Sequence, residues 1–334
     1  MPCEADILED HISGLSPDLL NALLKDHTTS MVGCQRNIFW ATADYEPLGL
    51  GYEYGSQILP ELITGRNGHV IMPRVLKARD TQRDRSRDMA EVFTPSWICN
   101  AQNNLIDDAW FGRGEVFNHE NDDHTWVSNP DKITFPEGRT WRDYVRDTRL
   151  EITCGEAPYL VSRYDTTTGQ PIPIDSRIGL LDRKLRVVGE NTGTSGEWLK
   201  WVQVAFQSTY GYEWQGDNLL IARENLLATF MDYYRAKFGS DPMLKSLQYI
   251  AYIISWNLWQ MDGLKGVVPD SCGERRKIVA DLFGTREEVS QCEGCQKDNI
   301  RRHNGIYCQI KDWRAKDPKT GKMGKRIRFI DLIK

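Results

Sequence analysis

Nothing in the 334 residues approaches the roughly 20-residue apolar run that crosses a bilayer. The opening stretch, MPCEADILEDHISGLS, is acidic and lacks the basic, apolar and small-residue regions of a secretory signal. Neither secretion nor membrane insertion is expected, and a cytoplasmic chain with reduced thiols is. Excess positive charge is missing as well: the formal net charge is −5. That excludes a histone-like binder, although local basic patches can still hold a polyanion. No Gly-x-Ser-x-Gly elbow and no Walker-type phosphate loop occur, and the six histidines are scattered. Nucleophilic hydrolysis and P-loop chemistry are thereby disfavoured.

What is present describes a globular protein. Hydrophobic residues make up 40% and charged residues 27%, enough for a sizeable core. The length suits about two domains. Ser16 and Pro17 ahead of an apolar run predict a capped helix. The basic stretch Lys77–Arg87 reads as a linker or exposed helix, and a boundary is placed there. Trp97, Ile98, Ala101 and Leu105 predict a helix behind Pro95. Leu150-Glu-Ile-Thr-Cys reads as a strand, Trp198 to Phe206 as a helix, and Thr209 to Trp214 as a second strand. Asp217 is positioned to cap a long helix through Phe238, and Asp241-Pro242 to open another. Strand, helix, strand, helix is the grammar of a parallel α/β sheet. The tryptophans Trp198, Trp201, Trp256 and Trp259 fall at helical spacing and read as core.

Four short motifs follow one another in the chain: Glu91-Val-Phe-Thr-Pro95, Leu150-Glu-Ile-Thr-Cys-Gly-Glu-Ala157, Tyr210-Gly-Tyr-Glu213 and Trp256-Asn-Leu-Trp-Gln-Met-Asp-Gly263. A glycine where a strand turns toward a helix lets backbone approach a ligand, and an acid ending the next strand can accept ribose hydroxyls. In this order the motifs resemble S-adenosylmethionine-dependent adenine-N6 DNA methyltransferases, especially the modification subunits of restriction systems. The resemblance covers roughly residues 90 to 265. It implies a Rossmann-like methyltransferase sheet over 89–270, preceded by an N-terminal extension, 1–88. The implied S-adenosylmethionine-binding residues are Phe93, Thr94, Pro95, Glu151, Cys154, Gly155, Glu156, Ala157, Glu213, Trp214 and Asp262. Within that set Gly155 and its neighbours hold the methionine end, Glu213 the ribose and Asp262 the adenine amino group. The extra Tyr164–Val188 segment reads as an insertion over this site.

The family's Asn/Asp-Pro-Pro-Tyr/Phe tetrapeptide, which holds the flipped base, is absent. Three explanations stay open. A second chain supplies the catalytic half; other residues hold the base, with Asp312 and Trp313 as candidates; or the fold is a degenerate methyltransferase serving as a DNA-binding or scaffold subunit. DNA is the expected polymer in each. Pro130-Asp131 with Glu137-x-Arg139 only faintly resembles a nuclease metal site, and a turn is the plainer reading.

The last segment, 271–334, is cysteine-rich. Cys292-Glu-Gly-Cys295 offers two thiolates from a tight turn, with Cys272 and Cys308 to complete a zinc site and His303 as a substitute for either. The polar sequence between them has little core of its own, where a metal helps folding. A redox CxxC is the rival reading. Beyond it, two strand-like runs flank a basic turn, and Lys316, Lys319, Lys322 and Lys325 are candidates to track nucleic-acid phosphates.

Overall fold

Local signals start the chain as expected. The structure, a computed structural model, describes residues 5–88, 94–281 and 284–333. Helices α1 (Glu9–Leu15) and α2 (Pro17–Leu24) meet at Ser16, whose hydroxyl accepts from the Asp18 amide at 3.3 Å. Pro17 sits in the first turn, where no amide donor is needed. Residues 25–72 then run mostly as turns and isolated bridges, with a short helix α3 (Pro60–Ile63).

The basic stretch forms helix α4 (Arg79–Asp88), and here a correction is needed. It is no solvated linker. Arg85 is buried, reaching Asp44 at 2.6 Å and Asp217 at 3.0 Å, and Lys77 reaches Asp217 at 3.0 Å. Two buried cations need a buried carboxylate, and Asp217 supplies it. For the same reason Asp217 does not cap the helix that follows it, whose N-cap is Gln215.

Helix α5 (Ser96–Phe111) starts behind Pro95 as predicted. An antiparallel pair, β1 (Asn118–Glu120) and β2 (Trp126–Ser128), and helix α6 (Trp141–Arg146) lead into the main sheet. That sheet is built from β3 (Arg149–Glu151), helices α7 (Leu180–Asn191) and α8 (Ser195–Gln207), β4 (Thr209–Glu213), helices α9 (Gly216–Phe238) and α10 (Leu244–Asn257), and β5 (Leu258–Gln260). Its order is β3-β4-β5 and both pairings are parallel, with Leu150 opposite Tyr210 and Tyr212 opposite Trp259. Helical crossovers of this length are what parallel neighbours require. The protein is thus a mixed α and β structure around a small parallel sheet.

The two edges of this sheet differ. Beside β5, the Gln260 side chain exchanges hydrogen bonds with the Phe39 backbone, accepting at 3.0 Å and donating at 2.8 Å. On the other side, no described strand pairs with β3. Leu150, Ile152, Leu105 and Ile106 are exposed.

The core ignores the boundary near residue 88. Leu19, Trp40 and Ile58 from the extension pack in one cluster with Trp198, Phe206 and Phe230, and Trp313 joins from the far end. The four tryptophans read as core are all buried. Past β5 come an antiparallel arm, β6 (Arg275–Asp281) and β7 (Gly284–Ser290), the short helix α11 (Glu293–Lys297), and the hairpin β8 (Gln309–Lys316) with β9 (Met323–Arg328). The basic turn lies between β8 and β9 as expected, closed by the Asp317 amide donating to the Lys322 carbonyl at 2.8 Å.

Candidate functional site

Open α/β sheets bind ligands beyond the carboxyl ends of their strands, and a cavity of about 1050 Å³ lies there. The ends of β3 and β4 form its floor. Glu213, last residue of β4, is buried and accepts from the Gly155 amide at 2.8 Å through Oε2. Its Oε1 accepts from the Trp214 and Gln215 amides at 2.9 and 3.2 Å. A carboxylate offers about four acceptor positions, so one remains for a ligand hydroxyl. Glu151 ends β3 and accepts from the Tyr159 and Leu160 amides at 3.3 and 3.2 Å.

Between the two acids the chain turns sharply. Thr153, Gly155 and Ala157 take φ of 46°, 51° and 64°, a left-handed region that only glycine enters freely. Within the turn the Gly155 amide points to Glu213, while the Cys154 and Ala157 amides bond the Tyr212 and Cys154 carbonyls. Burial raises both acids' pKa values, Glu151 far above its ordinary range, against the amide donors that lower them. A low-dielectric floor of two carboxyls favours a ligand that brings hydrogen-bonding hydroxyls.

Helix α5 forms the adjoining wall. Arg183 on α7 clamps it by bonding Asp107 at 2.7 Å, and the Tyr144 hydroxyl donates to the same carboxylate at 3.0 Å. One turn earlier Asn103 lines the cavity. Its Nδ2 donates to the carbonyls of Tyr159 and Ile178, both at 3.0 Å, while its buried Oδ1 has no partner among the described residues. Buried acceptors are rarely left so. Sequence reading missed Asn103 because nothing local marks an asparagine inside a helix as facing a cavity. Opposite, Tyr54 and Trp214 form another wall, with Trp214 Nε1 donating to the Tyr54 hydroxyl at 3.3 Å. The Tyr54 hydroxyl donates in turn to Asp270 at 2.5 Å. Burial, together with that bond, pushes the Tyr54 pKa up to about 12.

Of the residues singled out for the cofactor, Thr94, Glu151, Cys154, Gly155, Glu213 and Trp214 line this cavity. Phe93 lies outside the described residues. Pro95 serves as the N-cap position of α5. Ala157 is buried, and Glu156 is held elsewhere, accepting from the Arg74 amide and the Tyr164 hydroxyl, each at 2.6 Å. Asp262 does not line the cavity: its carboxylate accepts from the Leu264 amide at 3.0 Å and pairs with Lys265 at 2.9 Å. Asp312 and Trp313 line a separate groove of about 400 Å³. Trp313 is buried there, donating to Asn257 at 2.7 Å, and Asp312 accepts from the Arg314 amide at 3.0 Å. Of the Tyr164–Val188 segment, Leu180 touches the cavity, while Arg177 packs against Asp232 of α9 at 2.7 Å. Lys316, Lys319, Lys322 and Lys325 are exposed on the β8–β9 hairpin.

The second site is a cluster that can hold a metal ion. Cys272, Cys292, Cys295 and His303 offer donor atoms that all lie within 4.8 Å of one another. Cys308 is not among them, which corrects the expected ligand set. It is fully buried with Tyr212, Trp259 and Ile310 and its thiol lies 3.3 Å from the Gln260 carbonyl. Its backbone is fixed in extended pairing, donating to Gly266 and accepting from Phe329, and that pairing turns its side chain into this apolar cluster. His303 takes the fourth position because the Gly294 amide donates to the Arg302 carbonyl at 3.0 Å, bringing the following residue over the CxxC turn. Gly294 is required there, since a Cβ would lie 2.6 Å from His303 Nδ1. The CxxC does follow a strand and open a short helix, as a redox pair would. The two further donors are what let the cluster hold a metal ion.

No protein-family model matches this chain, and no curated protein or solved structure matches it either.

Proposed function

We propose that the chain binds S-adenosylmethionine in the strand-end cavity and acts in a DNA adenine-N6 modification system of the restriction type. The observation that carries this is the Glu213–Gly155 bond at 2.8 Å across the ends of two parallel strands. It ties the acid that would take a ribose hydroxyl to the turn that would cradle the methionine. Asn103 Oδ1 offers an acceptor for the ammonium group, and Arg87 on the rim offers positive charge for the carboxylate. On this reading the sheet is the adenosine-binding part of a Rossmann-like domain. The exposed lysines of the β8–β9 hairpin would track DNA phosphates. The metal of the Cys3His cluster is assigned as structural zinc, because three thiolates and an imidazole make a closed tetrahedral set.

Asp312 and Trp313, the candidates to hold a flipped base, do not line the cavity, and the β3 edge that no described strand pairs adjoins it. A partner chain adding a strand there would cover Leu150 and Ile152 and supply such groups. The alternative is a degenerate methyltransferase fold serving as a DNA-binding or scaffold subunit. It is favoured by one observation: Asp262, Asp312 and Trp313 all have structural partners away from the cavity.

Calorimetric titration with S-adenosylmethionine tests the reading. The wild type should bind and Glu213→Ala, checked for folding by its melt, should not. No binding by the wild type would move the scaffold reading to the front.

A further inference from the structure

The metal cluster and the cavity wall share one short connection. Asp270 lies two residues before Cys272, at a left-handed φ of 53°. The backbone around it is stitched to the other half of the cluster. The Val268 amide donates to Ile306 at 2.8 Å and the Ile306 amide to Ser271 Oγ at 3.0 Å. Asn304 bridges both halves, its amide donating to Cys292 Sγ at 3.2 Å and its side chain to the Gly273 carbonyl at 2.7 Å. Asp270 in turn accepts from the Tyr54 hydroxyl, which accepts from Trp214.

The sulfur-to-nitrogen separations match those of an occupied tetrahedral site. Each of the three Sγ atoms lies 3.6 Å from His303 Nδ1. Zinc–sulfur and zinc–nitrogen bonds of about 2.3 and 2.05 Å at tetrahedral angles require an S···N separation of about 3.6 Å.

We propose that Cys272, Cys292, Cys295 and His303 Nδ1 ligate one zinc ion, and that its occupancy fixes the cavity wall through Asp270, Tyr54 and Trp214. Asp270 and Tyr54 are positioning residues. With zinc bound, Asp270 is held and Tyr54 and Trp214 stand as a fixed wall. Without it, the halves carrying Cys272 and Cys292 separate and the wall loses its brace. The proposal rests on the zinc assignment above and needs no bound cofactor, so a failed S-adenosylmethionine titration leaves it standing.

The test is amide exchange by mass spectrometry on the full chain, with metal content measured on the same preparation. The wild type should carry one zinc per chain. A chelator should speed exchange at 292–305, and by about five-fold at 52–56 and 213–216, the change expected for one hydrogen bond of about 1 kcal/mol. Tyr54→Phe should keep its zinc and the protection of 292–305. At 213–216 it should already show the faster rate and gain nothing from chelation. Chelation that loosens 292–305 alone would overturn the coupling. A metal-free preparation with 292–305 still protected would overturn the zinc site itself.

Discussion

At the cavity, polar groups are held by what lies behind them. Glu213 and Glu151 end strands backed by helices that bury Trp198, Phe206 and Leu219. Around the Cys3His cluster that backing is missing: among the described residues from 271 to 307, Cys292 and Gly294 are the buried ones. Both regions bring chemically demanding side chains to within bonding distance. One does so by burying apolar area, the other by converging four donors. The cavity should therefore persist in the empty protein, whereas the cluster's order should depend on its ion.

Three changes would break or sharpen that contrast. Cys295→Ser should have the largest effect, removing metal and with it on the order of 10 kcal/mol of local folding free energy in 271–307. The melt of the main body should barely move. Metal analysis and limited proteolysis would show it, and a protected segment without metal would undo the contrast.

Asp217→Asn acts on the other region. Burial works to raise the Asp217 carboxyl, yet Arg85 and Lys77 outweigh it and hold the group well below the ordinary carboxylate range. Neutralising it removes the counter-charge that Lys77 and Arg85 share and should cost about 3–5 kcal/mol. Denaturant unfolding should report that loss while metal content stays the same.

The smallest effect is a tilt with pH. Burial, with Asp6 and Asp10 nearby, pushes the Glu9 carboxyl from 4.5 up to about 8 against a backbone bond that lowers it, and buried Glu224 is raised as well. A raised folded pKa contributes stability that is full below 4.5 and lost as pH rises through about 8. The metal centre should behave oppositely, since its ligands must shed protons to bind and are lost to acid. Melting temperatures should fall as pH rises from 4.5 to about 8, and Glu9→Gln should flatten that slope.

Much of the main sheet was legible because its signals are local. The α8 stripe of Trp198, Trp201, Val202, Ala205 and Phe206, the short run Thr209 to Glu213 of β4 and the start of α5 behind Pro95 are properties of short windows. The CxxC was legible for the same reason. What escaped depends on distant partners. Arg85 and Asp217 each look solvent-seeking in their own windows, and only the fold brings them together. Cys308 and His303 lie five residues apart, and which one faces the turn is decided by extended pairing with Gly266 and Phe329. Asn103 matters for where α5 sits, a matter settled by Arg183 some 80 residues on. Six of the eleven expected cofactor residues gathered at the cavity, because strand ends converge there. Asp262 lies two residues beyond β5, already in a turn, and was carried away from it.

One consequence of the arm formed by β6 and β7 concerns its length. Its two ends leave from Cys272 and return at Cys292, so a bound ion would clasp the arm at its root. Chain closed at a clasp costs little to extend, only about 0.6 kcal/mol for each doubling. The arm is therefore a cassette, open to lengthening or replacement by a foreign hairpin. The eight-residue step from Cys295 to His303 has less freedom, because the backbone bonds tying Asn299 and Arg302 to Gly294 bring one ring nitrogen over one turn.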